Sequence, residues 1–164
     1  MRALLTSLGL VAASVALAIP ASAHETAPPI AGASLLEPKA RGAASVVDVF
    51  HAALAKGDLS GAKALLADDA LIYESGGVER GKAAYASHHL PADAAFTAAT
   101  TRTVTRRTGH AAGGMAWVAT ESKVTGSFKE RAVDSVSIET MILRREQGAW
   151  RIAHIHWSSA NTKK

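Results

Sequence analysis

The sequence predicts an α+β domain in which N-terminal helices cover one side of a curved, mostly antiparallel sheet. Three observations lead there. Apolar residues recur at helical spacing between residues 43 and 67, Thr- and Val-rich runs follow from residue 96 to the end, and Gly-containing separators divide those runs into sequential hairpins.

Met1-Arg2-Ala3 begins a short basic start, an apolar run extends to Ile19, and Ala21-Ser22-Ala23 supplies small residues at a processing position. This is the pattern of a cleaved secretory signal, and the run is shorter than the roughly 20 residues a membrane-spanning helix needs. Removal of residues 1–23 leaves 141 residues, enough for one domain, carrying 17 Lys and Arg against 14 Asp and Glu. The expected destination is the periplasm or the exterior, with no membrane association after cleavage. The small basic excess is scattered and has few aromatics interleaved, so nucleic acid is not an expected partner. Cysteine is absent, which excludes disulfides, thiolate nucleophiles and thiolate metal sites.

Residues 24–42, with Pro28-Pro29, Pro38, Gly32 and Gly42, lack apolar periodicity and read as a flexible leader. Val46, Val47, Phe50, Ala53 and Leu54 define a first helix over 43–56, stopped by Gly57. Asp58 caps a second over Leu59 to Ala67. Ala70 to Glu74 reads as a short strand ended by Ser75-Gly76-Gly77, and 81–90 as a third helix closed by Pro91. Four strands are expected over 96–108, 115–125, 133–145 and 150–159.

The last strand attracts functional interest. Period-two alternation puts Trp150, Ile152, His154, His156 and Ser158 on one face. If Gln147-Gly148 is a two-residue turn, Glu146 opposes Ala149, His154 opposes Met141 and His156 opposes Glu139. Directly opposed residues share a face, so Glu139, Met141 and Leu143 join His154 and His156 on an inner wall. The other face collects Val136, Ile138, Thr140, Ile142, Ala153, Ile155 and Trp157. Glu121 belongs inside if Trp117 and Lys123 do; the alternative phase turns it to solvent. Tyr73 and Glu74 are adjacent in a strand, so only one of them points inward. Tyr85, His88 and His89, at i, i+3 and i+4, share a broad helical face.

A His/Glu wall admits three chemistries. In acid–base catalysis, Glu139 or His156 is the base and the remaining His or Tyr donates to a developing oxyanion. Two His and a facing Glu also match a His/His/carboxylate metal set, although no established metal motif is present. In the structural alternative the same groups hydrogen-bond to one another and hold the strand. The candidate catalytic residues are therefore His154, His156 and Glu139, and the candidate ligand-binding residues are Tyr73, Glu74, Tyr85, His88, His89, Glu121 and Met141. No dinucleotide fingerprint or phosphate loop occurs, so no cofactor is expected.

Three stretches resemble the nuclear transport factor 2-like superfamily, which includes SnoaL-like domains and ketosteroid isomerase: Gly57-Asp58-Leu59 with Ala64 to Ala70, the Gly81-Lys82 helix start, and Trp150-Arg151-Ile152-x-His154-x-His156-x-Ser158. The tail is similar to the association domain of calcium/calmodulin-dependent protein kinase II. The resemblance covers about residues 43–160 and implies a cone-shaped α+β fold binding a small organic molecule, with isomerase, cyclase or lyase chemistry or a non-catalytic binding role. It also implies a homodimer through the apolar outer sheet face. The Tyr and Asp motif positions of ketosteroid isomerase find no match here, so steroid isomerisation is not carried over.

Overall fold

The computed structural model describes residues 35–162. The signal and most of the leader lie outside the described residues. A two-residue strand β1 (Leu35–Leu36) and a 3-10 turn (Pro38–Ala40) lead into α1 (Arg41–Lys56) and α2 (Leu59–Ala64). Strands β2 (Leu66–Glu74) and β3 (Gly77–Arg80) follow, then α3 (Lys82–His88) and α4 (Leu90–Ala99). The long strands β4 (Thr100–Ala112), β5 (Met115–Phe128), β6 (Arg131–Glu146) and β7 (Ala149–Asn161) complete the domain. All seven strands form one sheet in the order β1-β4-β5-β6-β7-β2-β3, parallel only at β1 with β4 and β2 with β7. The helices cover one face, as the sequence predicts.

Residues expected in the leader are partly structured: β1 pairs with β4, and Ala40 is fully buried. The apolar stripe of α1 buries Val47, Phe50 and Leu54, and Gly57 ends the helix at φ 69°, its N–H reaching the carbonyls of Ala53 and Leu54. Asp58 caps α2 by accepting from the Gly61 N–H at 2.8 Å. Pro91 does not close a helix. It occupies the first turn of α4, where its missing N–H has no intrahelical partner to lose, so helix continues through Phe96 to Ala99.

Two features of the sheet decide what faces the helices. Gln147-Gly148 is the expected turn, both residues at positive φ, and Glu146 opposes Ala149. Pairing holds as far as Leu143 opposite Ile152; Ala153 is then an unpaired extra residue, and Ile142 opposes His154. This β-bulge, opposite an irregular stretch of β2 between Leu66 and Leu71, reverses the facing of the rest of β7. Glu139 therefore opposes Trp157, and Met141 opposes Ile155, which is fully buried.

The second feature is the β5–β6 connection. It is a two-residue turn, Lys129-Glu130, with Phe128 opposite Arg131, although neither turn residue is glycine or asparagine. Its register puts Glu121 opposite Ile138 on the outer face and Thr120, Ser122 and Val124 inside. The core lies between helices and sheet, with Val47, Phe50, Leu54, Tyr85, Leu90, Val118, Met141, Leu143, Ile152 and Ile155 at its centre.

Candidate functional site

Among the residues facing the helices, Glu139 is 2% exposed and is the most enclosed carboxylate. Its Oε2 accepts from His51 Nε2 at 2.6 Å and from the Trp157 indole N–H at 2.7 Å, while Arg102 Nη2 stands 3.4 Å from Oε1. Each partner comes from a different element. His51 interrupts the apolar stripe of α1, four residues after Val47 and three before Leu54, so a helix packed by those residues must turn the imidazole inward. Trp157 comes inward because of the Ala153 bulge and stacks on Phe50 with ring centroids 6.4 Å apart. Arg102 opposes Val124 on the inner face of the β4–β5 ladder.

Burial by itself would raise the Glu139 carboxyl. The His51 hydrogen bond and charge, the Arg102 charge and the Trp157 N–H outweigh burial and hold it below the ordinary carboxylate range. An ionised Glu139 accepts, so Nε2 of His51 carries the hydrogen. The other ring nitrogen, Nδ1, has no hydrogen bond among the described residues.

His51, Trp157 and Arg102 line a cavity of about 90 Å³ together with Glu74, Asp93 and an apolar wall of Leu54, Phe96 and Val124. The two cavity acids behave oppositely to Glu139. Burial, then the neighbouring Asp93 charge, pushes the Glu74 carboxyl up. Burial also raises Asp93, against a lowering hydrogen bond from the buried Tyr85 hydroxyl at 2.7 Å. The Tyr85 phenol is itself pushed far up by burial and by Asp93, so it stays protonated as a donor.

The residues singled out in the sequence divide between the two sheet faces. Glu139 lies inward, beneath the cavity, and Met141 is a fully buried core residue behind it. Of the strand pair, Glu74 faces the cavity and Tyr73 faces out. Tyr85 reaches the site through Asp93. His154 and His156 do not join Glu139. The bulge turns them to the outer face, where their rings meet the Tyr73 ring edge-on at 5.1 and 6.3 Å and His154 Nδ1 donates to the Leu71 carbonyl at 2.8 Å. The His/His/Glu metal set is therefore not assembled, and no cluster of three or more potential metal ligands occurs among the described residues. Glu121 is exposed and 4.0 Å from Arg106. His88 and His89 are exposed and both face Glu79, outside the cavity.

Sequence reasoning missed His51, Asp93, Arg102 and Trp157. His51 and Asp93 carry a signal: each is one of two polar residues in a mostly apolar helical stretch, with Asp48 in Val47 to Leu54 and with Thr97 in Leu90 to Ala99. Arg102 in a Thr-rich strand carries none, and unbroken alternation puts Trp157 on the outer face.

Comparison with known proteins places this geometry in context. The SnoaL-like domain family matches over residues 43–162. A crystal structure from Shewanella frigidimarina, provisionally named a ketosteroid isomerase, is 37% identical, covers 71% of this chain and 94% of its own, and superposes with a TM-score of 0.69. A provisionally named calcium/calmodulin-dependent protein kinase II association domain from Xanthomonas campestris is 21% identical over 79% of this chain and 94% of its own, TM-score 0.65. A provisionally named dehydratase of the NTF2-like family from Streptomyces avermitilis is 17% identical over 76% and 97%, TM-score 0.65. The last two support the fold alone. No curated protein matches the chain.

Proposed function

The chain belongs to the SnoaL-like domain family, and on that premise we propose that its cavity binds a small enolisable carbonyl compound and moves protons on it, as an isomerase, cyclase or dehydratase does. The observation that carries this reading is the opposite tuning of carboxyls around one cavity: Glu139 is held ionised against His51, while Glu74 and Asp93 are held towards the neutral acid. Environments that push acids apart in this way create a base and a proton donor in one site. His51 Nδ1 takes the proton from the carbon next to the carbonyl, with Glu139 holding the ring and stabilising the imidazolium. Glu74, whose carboxyl makes no hydrogen bond among the described residues, gives its proton to the carbonyl oxygen as the enol forms. Return of the proton to another carbon isomerises the molecule, and loss of a β-hydroxyl as water dehydrates it.

The cavity, about 90 Å³ and open to solvent on one side, is smaller than the roughly 150 Å³ closed site that holds benzene in an engineered protein, so a ligand of about six or seven heavy atoms fills it and reaches into its mouth. The name of the Shewanella relative points to steroids, but the small volume of this half-open cavity favours a smaller ligand. Deuterium uptake at the α-carbons of hydroxyacetone and cyclopentanone, followed by proton NMR, tests the reading. Exchange above the buffer rate is expected, falling by about 10²–10⁴-fold in His51→Ala. Exchange at the buffer rate with both ketones and with pyruvate, which adds a carboxylate to the ketone, refutes catalysis.

A non-catalytic assembly role is the second reading, and the outer sheet face favours it. Val136 and Ile138 on β6, Met115 and Trp117 on β5, and Tyr73 on β2 are each between 37% and 54% exposed on the sheet face away from the helices. We propose a homodimer through this face, with His154 and His156 at its β7 side. Sedimentation at micromolar concentration is expected to give a dimer, and Ile138→Lys a monomer; a monomeric wild type refutes it. Residues 1–23 are proposed as an export signal, for which a mature N-terminus at His24 in a periplasmic extract is the expected finding. Among the described residues no helix is long and apolar enough to cross a membrane.

A further inference from the structure

We propose that the ligand of this cavity carries a carboxylate, held by the guanidinium of Arg102 with Arg107 and Ser122 behind it. The inference deepens the small-molecule reading above and rests on it. Arg102 lines the cavity with its side chain only one-fifth exposed, yet its one hydrogen bond among the described residues is the 3.4 Å contact with Glu139. Charge-assisted N–H···O bonds are normally about 2.7–2.9 Å long, and a guanidinium has five donors to satisfy. Most of the binding capacity of this cation is therefore unspent inside a partly dry site.

The residues behind it repeat the pattern. Arg107 uses Nε on the Thr120 hydroxyl at 3.2 Å and Nη1 on Asp48 at 2.6 Å, but its Nη2 is buried with no partner. The Ser122 hydroxyl is likewise buried without a partner, and Ser122 is 3% exposed. The β4–β5 ladder explains why these belong together. Arg102 opposes Val124 and Arg107 opposes Thr120, so Ser122 falls between the two arginines on the same inner face. Buried donors without acceptors are costly and uncommon in folded proteins. Of these groups only Arg102 lines the cavity, and its guanidinium is the one that can take an acceptor from a ligand; Arg107 Nη2 and Ser122 lie buried behind it and add donors and positive charge to that wall.

A carboxylate supplies it with the right shape. Its two oxygens match the guanidinium fork, whereas a neutral carbonyl offers one oxygen and no charge. The other charges around the cavity permit it. Glu139 is already engaged by His51 and Trp157, and Asp48 is largely in water, where its charge is screened. Glu74 and Asp93 oppose an incoming anion only when ionised, and burial favours their neutral forms.

Isothermal titration of the full chain with acetoacetate and with acetoacetamide isolates the charge, since the two differ at that group alone. Acetoacetate is expected to bind at least about tenfold tighter, from hydrogen bonds to a charged acceptor. That preference is expected to vanish in Arg102→Gln and to shrink in Arg107→Gln. A second measurement needs no variant: acetoacetate, and not acetoacetamide, is expected to shift the Arg102 Nε–H resonance of the wild type. Equal affinity for the two, preference surviving in Arg102→Gln, or binding of neither overturns the proposal. Equal binding of both leaves a small-molecule cavity standing without a carboxylate requirement, whereas loss of ketone exchange with carboxylate preference intact removes the catalytic reading instead.

Discussion

Replacing Glu139 by Gln keeps the side chain's size and removes its charge. The wild-type carboxylate is 2% exposed and accepts from His51 and Trp157 within 2.7 Å, with Arg102 as a further counter-charge. Both close donors bond the same oxygen, Oε2, so a glutamine that keeps its oxygen there accepts from His51 and Trp157 without the charge and turns its amide N–H groups towards the Arg102 guanidinium. A lost bond to a charged acceptor costs about 1.5–3 kcal/mol, and breaking a buried ion pair outright about 3–5. Because Arg102 retains some contact with water, about 2–4 kcal/mol is expected here. Against a typical stability of about 5–15 kcal/mol this is a large fraction, and it moves a urea midpoint down by about 1–3 M at pH 7. The pH dependence supplies the stricter criterion. Glu139 has its folded pKa below its unfolded one, so its contribution is present above the unfolded value, about 4.3, and is lost as pH falls through the folded value. The gap between wild type and Glu139→Gln should close in acid. Urea titrations at fixed protein concentration from pH 7 down to pH 3 measure it. An unchanged midpoint at pH 7, or a gap constant with pH, refutes this account of the carboxylate.

Glu74 has the opposite sign. Its folded pKa is raised by burial and by Asp93, so its contribution to stability is complete below the unfolded pKa and declines as pH rises through the folded value. Glu74→Gln should therefore melt higher than wild type at pH 7, with a smaller difference at pH 4, while ketone exchange falls; a lower melting temperature at pH 7 contradicts it. Lys129 and Glu130 form a hairpin turn at φ 49° and 63° without glycine. Left-handed backbone costs about 1–2 kcal/mol for an ordinary residue, so Lys129→Asn with Glu130→Gly should add about 1 kcal/mol and a few degrees to the melting temperature. No gain would show that the turn lacks that strain.

Two places in the sheet, the bulge at Ala153 and the turn at Lys129-Glu130, turn side chains to faces that alternation does not predict. Ala153 is small and apolar in an alternating strand, with nothing local to mark it as an unpaired residue, yet it exchanges His154 and His156 for Ile155 and Trp157 on the inner face. Lys129-Glu130 lacks the Asn and Gly that announce a two-residue turn, which left Glu121 without a register. Where turn chemistry is explicit, at Gln147-Gly148, the expected pairing of Glu146 with Ala149 is present. Pro91 shows a third kind of ambiguity, since proline both disfavours helix before it and is accepted in a helix's first turn.

Local chemistry along the chain thus determined the kinds of element and their order: an amphipathic helix closed by Gly57, an Asp58 cap, and a run of long strands after the helices. These depend on neighbours within a few residues. The SnoaL-like cone follows from that order. Which side chains meet inside it was decided only by the tertiary structure. Facing in a strand has period two, so one unpaired residue reverses everything beyond it, and the penalty or gain for doing so is set by distant packing partners rather than by adjacent sequence. Burying Ile155 and Trp157 against the helices satisfies the core, sends two histidines to the outer face, and brings His51, 88 residues away along the chain, onto Glu139.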